Sequence, residues 1–192
     1  TVKAFATADG YTNSMIASAT YTFPETVDNI AEFKALSDES QRFVINNDVT
    51  FVFNHGAYTY VKDASAALLV YGGNYFSNMT EGDQISNLTG THAVYYGQVE
   101  MKNALQPATP TSNIDTMFPM VVTVNDILTN YDMYDAQLVT LENVLFPDGF
   151  DGSDDGTDTA IIVQNGDTMM LYNRFNIDTV LAANITLNLT GF

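Results

Sequence analysis

Along most of this chain apolar and polar residues alternate with the two-residue period of strands, interrupted at short intervals by Gly, Asn and Asp turn signals. Ala57–Asp63 and Ala66–Tyr71 read as two strands around a polar turn. The pattern returns as Thr159–Asn173, with Asn165 standing where the first copy has Asp63. Asn87-Leu88-Thr89-Gly90 likewise returns as Asn188-Leu189-Thr190-Gly191. Self-similarity of this kind predicts two copies of one β-module.

The first copy predicts a long strand over Phe43–Phe53, a tight turn at Asn54-His55-Gly56 and strands at Ala57–Asp63 and Ala66–Tyr71. A fourth strand runs through Ile85, Leu88, Thr91 and Val94, and a fifth covers Gln98–Met101. Pro24 opens the unit, and Asp28-Asn29 can cap a short helix whose apolar positions Ile30, Phe33 and Leu36 have helical spacing. Five strands in a meander with one helix suit an OB-like barrel. In the second copy Val124–Leu128 replays the helix and Ala136–Phe146 the first strand, and an acidic loop, Pro147–Asp158, replaces the short turn. That copy reaches only its fourth strand by Phe192. Thr1–Phe23 alternates around Asp9-Gly10 and reads as a hairpin. The fold class expected is therefore all-β: an orphan hairpin over 1–23, an OB-like module over 24–112, a linker at 113–118 within the Pro-bearing polar stretch that starts at Gln106, and a second, incomplete OB-like module over 119–192.

Two resemblances extend this reading. Thr1-Val-Lys-Ala4, the Asp9-Gly10 turn and the Ser14 to Tyr21 strand are similar to the closing hairpin of the β-sandwich module at the C-terminus of chitobiase and β-hexosaminidase-type secreted enzymes, which implies an appended accessory module. Tyr60-Val-Lys-Asp63, the Leu68–Tyr71 strand, Gly82-Asp83 and Leu88-Thr89-Gly90 resemble the OB-like modules of secreted multidomain bacterial surface proteins. That resemblance implies an extracellular or cell-surface location and a role in interaction or spacing.

Composition narrows the chemistry. Six Lys+Arg against 23 Asp+Glu give a formal charge of -17, which repels phosphate backbones and argues against a nucleic-acid partner. There is no Cys, so thiolate metal sites and disulfides are excluded, and no apolar run has the length of a membrane span. His55 and His92 are the only histidines and lack metal-ligand spacing; each is expected at or near the surface. No Gly-x-Ser-x-Gly elbow, phosphate loop or His-Glu-x-x-His occurs, so no catalytic constellation is expected and the chain is not read as an enzyme.

Two groups of side chains remain as candidates. Tyr58, Tyr60, Tyr71, Tyr75, Tyr95 and Tyr96 fall on strands or loops of the first module, and OB faces bind oligosaccharides, so these rings are the expected ligand-binding set for a protein or glycan at the cell surface. Asp148, Asp151, Asp154, Asp155 and Asp158 place hard oxygen ligands in one loop and suit Ca²⁺, without the EF-hand spacing; no other cofactor is expected. The rival to an interaction or spacer module is a carbohydrate-binding accessory to a glycosidase. A third reading is self-association, in which open strand edges add a neighbour's hairpin.

Overall fold

The computed structural model describes residues 1–73, 76–105, 118–153 and 159–192. The architecture is all-β, with 9% of the structure helical and 46% in strands. It comprises β1 (Val2–Ala4), β2 (Ala17–Ala19), β3 (Glu25–Val27), α1 (Ile30–Lys34), β4 (Arg42–Ile45), β5 (Val49–His55), β6 (Tyr58–Lys62), β7 (Ala67–Tyr71), β8 (Gln84–Ile85), β9 (Leu88–Tyr95) and β10 (Gln98–Lys102). The second half supplies β11 (Met120–Val122), α2 (Val124–Thr129), α3 (Tyr131–Tyr134), β12 (Val139–Phe146), β13 (Phe150–Asp151), β14 (Thr159–Gln164), β15 (Asp167–Tyr172), β16 (Val180–Leu181) and β17 (Ile185–Gly191).

In the first module one sheet runs β3-β4-β9-β10-β7-β6-β5-β8. β4 and β5 lie near opposite ends of this order yet are joined by three residues, Asn46-Asn47-Asp48, so the sheet must curl round on itself. The long first strand expected over Phe43–Phe53 is thus two strands. Its polar centre leaves the ladder, and the N–H groups of Asn46 and Asn47 donate to Val27 O and Asp28 O, which bends the chain into both ends of the sheet. β10 pairs parallel to β7 and antiparallel to β9, joining the two arms of the curled, barrel-like sheet. Inside lie Phe43, Ile45, Val49, Phe51, Val61, Leu68, Val70, Ile85, Leu88 and Met101. α1 seals this core with Ile30 and Phe33, the ring of Phe33 standing edge-on to Phe43 at 6.2 Å. Asn29 caps it as expected, its side-chain oxygen accepting from Glu32 N at 2.9 Å.

The second module repeats the plan. β11 pairs parallel to β12 as β3 does to β4, β12 takes both β14 and β17, and β14 pairs with β15. Around a second core of Val122, Val124, Leu141, Val144, Phe146 and Ile162 the side chains of Met169, Leu171, Leu187 and Leu189 are only partly buried. Among the described residues no strand lies on the outer side of β15 or β17.

The registers correct the sequence alignment of the copies by one position. Val61 faces Leu68 and Ile162 faces Met169, so the counterpart of Asp63 is Gln164, not Asn165. The two do the same work: Asp63 Oδ2 accepts from Ile30 N at 2.8 Å and Gln164 Oε1 from Val124 N at 2.7 Å, each satisfying the first N–H of its module's helix. Asn165-Gly166, both with positive φ, forms the two-residue turn of the β14–β15 hairpin.

Residues 1–23 are exposed throughout, and their pairing is shorter than the expected hairpin: only Val2–Ala4 and Ala17–Ala19 pair, and Gly10 sits in a wide loop. With no apolar face covered, nothing extends the ladder. The expected linker residues 113–117, with the rest of Gln106–Asn113, lie outside the described residues.

Gly90 and Gly191 provide an internal control on packing. A Cβ on Gly90 would overlap the Met101 side chain and stand 2.8 Å from Lys102 O, whereas one on Gly191 would meet nothing within 4 Å. Gly90→Ala is expected to destabilise the protein by about 1–3 kcal/mol through overpacking, and Gly191→Ala to change stability by less than about 0.5 kcal/mol, as measured by urea unfolding.

Candidate functional site: an aromatic strip beside the module interface

Side chains on the outer face of β6 and β7 meet two fates. On β6 the outward residues are Tyr58, Tyr60 and Lys62; on β7 they are Ala67, Leu69 and Tyr71, paired across the ladder. The second module docks on the centre of this face. Val52, Tyr60, Ala67, Leu69 and Ala136 form a buried cluster, with Leu138, Phe175 and Phe192 packed against it. Tyr60 is only 5% exposed and stacks on Phe192 with ring centroids 3.8 Å apart, and burial pushes its hydroxyl pKa up to about 12. Phe53 adds edge-on contact with Phe175 at 5.4 Å and stacking with Phe192 at 5.6 Å.

A polar clamp fixes the other end of the contact. Lys34 Nζ lies 2.8 Å from Asp135 Oδ2, and Gln98 Nε2 donates to Asp135 Oδ1 at 2.8 Å. Both ionised side chains are largely buried, so each depends on the other. Tyr60 is therefore a structural ring, which corrects its assignment to an exposed binding set: the neighbouring module removes it from solvent.

The remaining described candidates come together at the margin of this interface. Tyr58 and Tyr71 are register partners with ring centroids 5.3 Å apart. Lys102, paired with Tyr71 across the β10–β7 ladder, places its ammonium 5.7 Å from the Tyr71 ring and 5.8 Å from the Tyr95 ring. Tyr95 meets Tyr96 edge-on at 4.6 Å. From the second module, the Arg174 guanidinium sits 5.0 Å from the Tyr58 ring and 5.4 Å from that of Tyr172. The result is a continuous row: Tyr172, Arg174, Tyr58, Tyr71, Lys102, Tyr95, Tyr96. Tyr172 and Arg174 were missed by sequence reading because the second module's contribution depends on docking. Tyr75 lies outside the described residues.

Tyr96 occupies a costly position. It is 93% exposed with φ 48°, followed by Gly97 at φ 87°, in the turn between β9 and β10. Left-handed backbone costs an L-residue roughly 1–2 kcal/mol. Elsewhere among the described residues such non-glycine positions are held by Asn, apart from Ala136. The second module's own two-residue turn uses Asn165-Gly166.

The acidic loop is described only in part. Asp148 and Asp151 are placed, while Asp154, Asp155 and Asp158 lie outside the described residues. Hydrogen bonds from the Ser153 hydroxyl and N–H hold the Asp151 carboxyl below its ordinary pKa. Among the described residues no group of three His, Asp or Glu side chains could hold a metal ion. A hollow of about 60 Å³ between the modules, lined by Val52, Lys62, Phe118, Met120, Gln137 and Leu138, has room for little more than water.

The histidines part company. His55 stands exposed beside Phe175, with ring centroids 5.3 Å apart. His92, expected at least half-exposed, is 2% exposed, because it faces the core from the same side of the β9–β10 ladder as Met101. Its ring packs 5.5 Å from Phe33, and among the described residues neither nitrogen has a hydrogen-bond partner. Burial lowers its pKa below the ordinary 6.5. Because the folded pKa is the depressed one, the unfolded chain binds the proton first as pH falls through about 6.5, and stability is lost below that point. The unfolding midpoint is expected to fall between about pH 7 and pH 5, and His92→Phe to flatten that part of the profile in thermal melts across the range.

Compared with protein-family models, with curated proteins and with solved structures, the chain finds no significant match in any of the three.

Proposed function

We propose that this chain is a non-catalytic interaction module of a secreted or cell-surface protein, and that its contact surface is the aromatic strip from Tyr172 to Tyr96. The observation that carries the proposal is Tyr96. A bulky ring kept almost wholly exposed on left-handed backbone, at the head of a row of rings that are exposed apart from the half-buried Tyr58, is expensive for folding and useful only to something that touches it. Its place agrees with the way OB barrels bind, through strands two and three and the turns before strand two and after strand four. In this chain those are β6, β7, and the turns at Gly56 and Tyr96-Gly97. The charge of -17 weighs against an oligonucleotide there.

The second reading, a carbohydrate-binding accessory, is favoured by the chemistry of the strip: tyrosine faces stack on the C–H faces of pyranoses without requiring cationic charge. Tyr96→Asn separates stability from function. It is expected to raise stability by about 1 kcal/mol while weakening the ligand, since Asn accepts the left-handed turn and offers no ring. A glycan array with the parent chain, Tyr71→Ala and Tyr95→Ala tests the carbohydrate reading. Spots that dim in both variants support it, and no binding at millimolar glycan removes it and leaves a protein contact or spacer role.

The third reading, self-association by strand addition, is favoured by the uncovered hairpin 1–23 together with the free edges of β15 and β17 among the described residues. Mass photometry with and without residues 1–23 checks it: monomers in both cases end the idea, and oligomers that vanish on deletion establish it.

A further inference from the structure

Resting on the reading of the strip as the chain's contact surface, we infer that its ligand is an acidic polysaccharide, with Arg174 receiving the carboxylate of a hexuronic acid while Tyr58 and Tyr71 stack on the sugar rings. Of the six Lys+Arg in the sequence, three are engaged within the fold. Lys34 is paired with Asp135 at 2.8 Å and Lys102 with Glu100 at 2.7 Å, while Arg42 Nη1 donates to Asn103 O at 2.8 Å. Among the described residues no carboxylate lies within ion-pair distance of Arg174. Lys3, Arg42 and Lys62 also lie beyond ion-pair distance of the described carboxylates, but of these four cations only Arg174 lies against rings of the strip.

Arg174 is also held in place. Its guanidinium lies over Tyr58 of the first module and Tyr172 of the second, contacts that restrain it through its faces and not through its N–H donors. A guanidinium so fixed suits the planar, two-oxygen geometry of a carboxylate. The rings beside it supply apolar stacking for the pyranose that bears that group, Tyr58 and Tyr71 being 5.3 Å apart and tilted by 58°. Lys102, neutralised by Glu100, serves to bracket the Tyr71 and Tyr95 rings and adds little net charge. One cation with no carboxylate partner among the described residues, set in a row of tyrosines, matches a polymer of sparse carboxylates; it does not match the dense charge of a nucleic acid, which requires many cations to displace counterions.

Isothermal titration of the whole chain with a glucuronoxylan oligosaccharide, whose uronate groups are spaced along a neutral backbone, and with a neutral β-glucan of similar length decides the matter. The uronate is expected to bind, with affinity falling as salt rises, and Arg174→Gln is expected to weaken it at least tenfold while Arg174→Lys retains part of it. Thermal melts of each variant, matching the parent, show that the fold is kept. If the uronate binds but Arg174→Gln changes nothing, or if the neutral glucan binds as tightly, the carboxylate assignment is overturned although the strip remains the contact surface. If the uronate binds and neither Tyr71→Ala nor Tyr95→Ala weakens it, the strip itself is the wrong surface and both fall. No binding of either polymer overturns the acidic-glycan assignment and leaves the strip to a protein partner.

Discussion

The surface of this protein is decided by the docking of one module on the other, and that docking turns on Asp135. Its two carboxylate oxygens bind Lys34 at the end of α1 and Gln98 of β10, tying the second module to two separate elements of the first. Buried charge is costly unless paired, so the clamp admits one arrangement of the two modules far more readily than a sliding family of them. The stack of Tyr60 on Phe192 adds apolar contact at the other end, where the geometry is less demanding. Together they cover the middle of the β6–β7 face and leave its margin in solvent.

That margin is where stability has been given up. A left-handed tyrosine, a row of rings exposed but for the half-buried Tyr58, and a cation without a carboxylate among the described residues are each unfavourable or neutral for folding. Their coincidence along one line is what distinguishes the strip from the ordinary scatter of apolar groups on a surface. It also joins the two halves chemically, because Tyr58 and Arg174 come from different modules.

Comparison of the copies separates what the module needs from what it can vary. Each helix has its first N–H satisfied by a side chain at the end of the second barrel strand, a carboxylate in one copy and an amide in the other. The need is for an acceptor oxygen at that place; the charge is incidental. Gly90 and Gly191 stand at equivalent positions, yet only the first makes room for a neighbour, Met101. The side chains that β10 buries in the first module, Leu68 and Val70, have half-buried counterparts in Met169 and Leu171.

Much of this was legible in the sequence. Period-two alternation, Asn and Gly at positive φ, and the cap at Asn29 are local properties, so strands, turns and the helix start follow from neighbouring residues alone. The split of the first strand was not legible, because it depends on Val27 and Asp28 offering carbonyls to Asn46 and Asn47. Nor was the one-position slip between the copies, since Asn165 and Gln164 both resemble Asp63 and only the strand registers choose between them. The alternation of β6 puts Tyr58 and Tyr60 on the same face, and no local rule could give them different fates. The tertiary structure did: Phe192, far away in sequence, covers Tyr60, while Arg174 approaches Tyr58 at the rim. Period and propensity fix which way a side chain points; contact between distant segments fixes whether water is there to meet it.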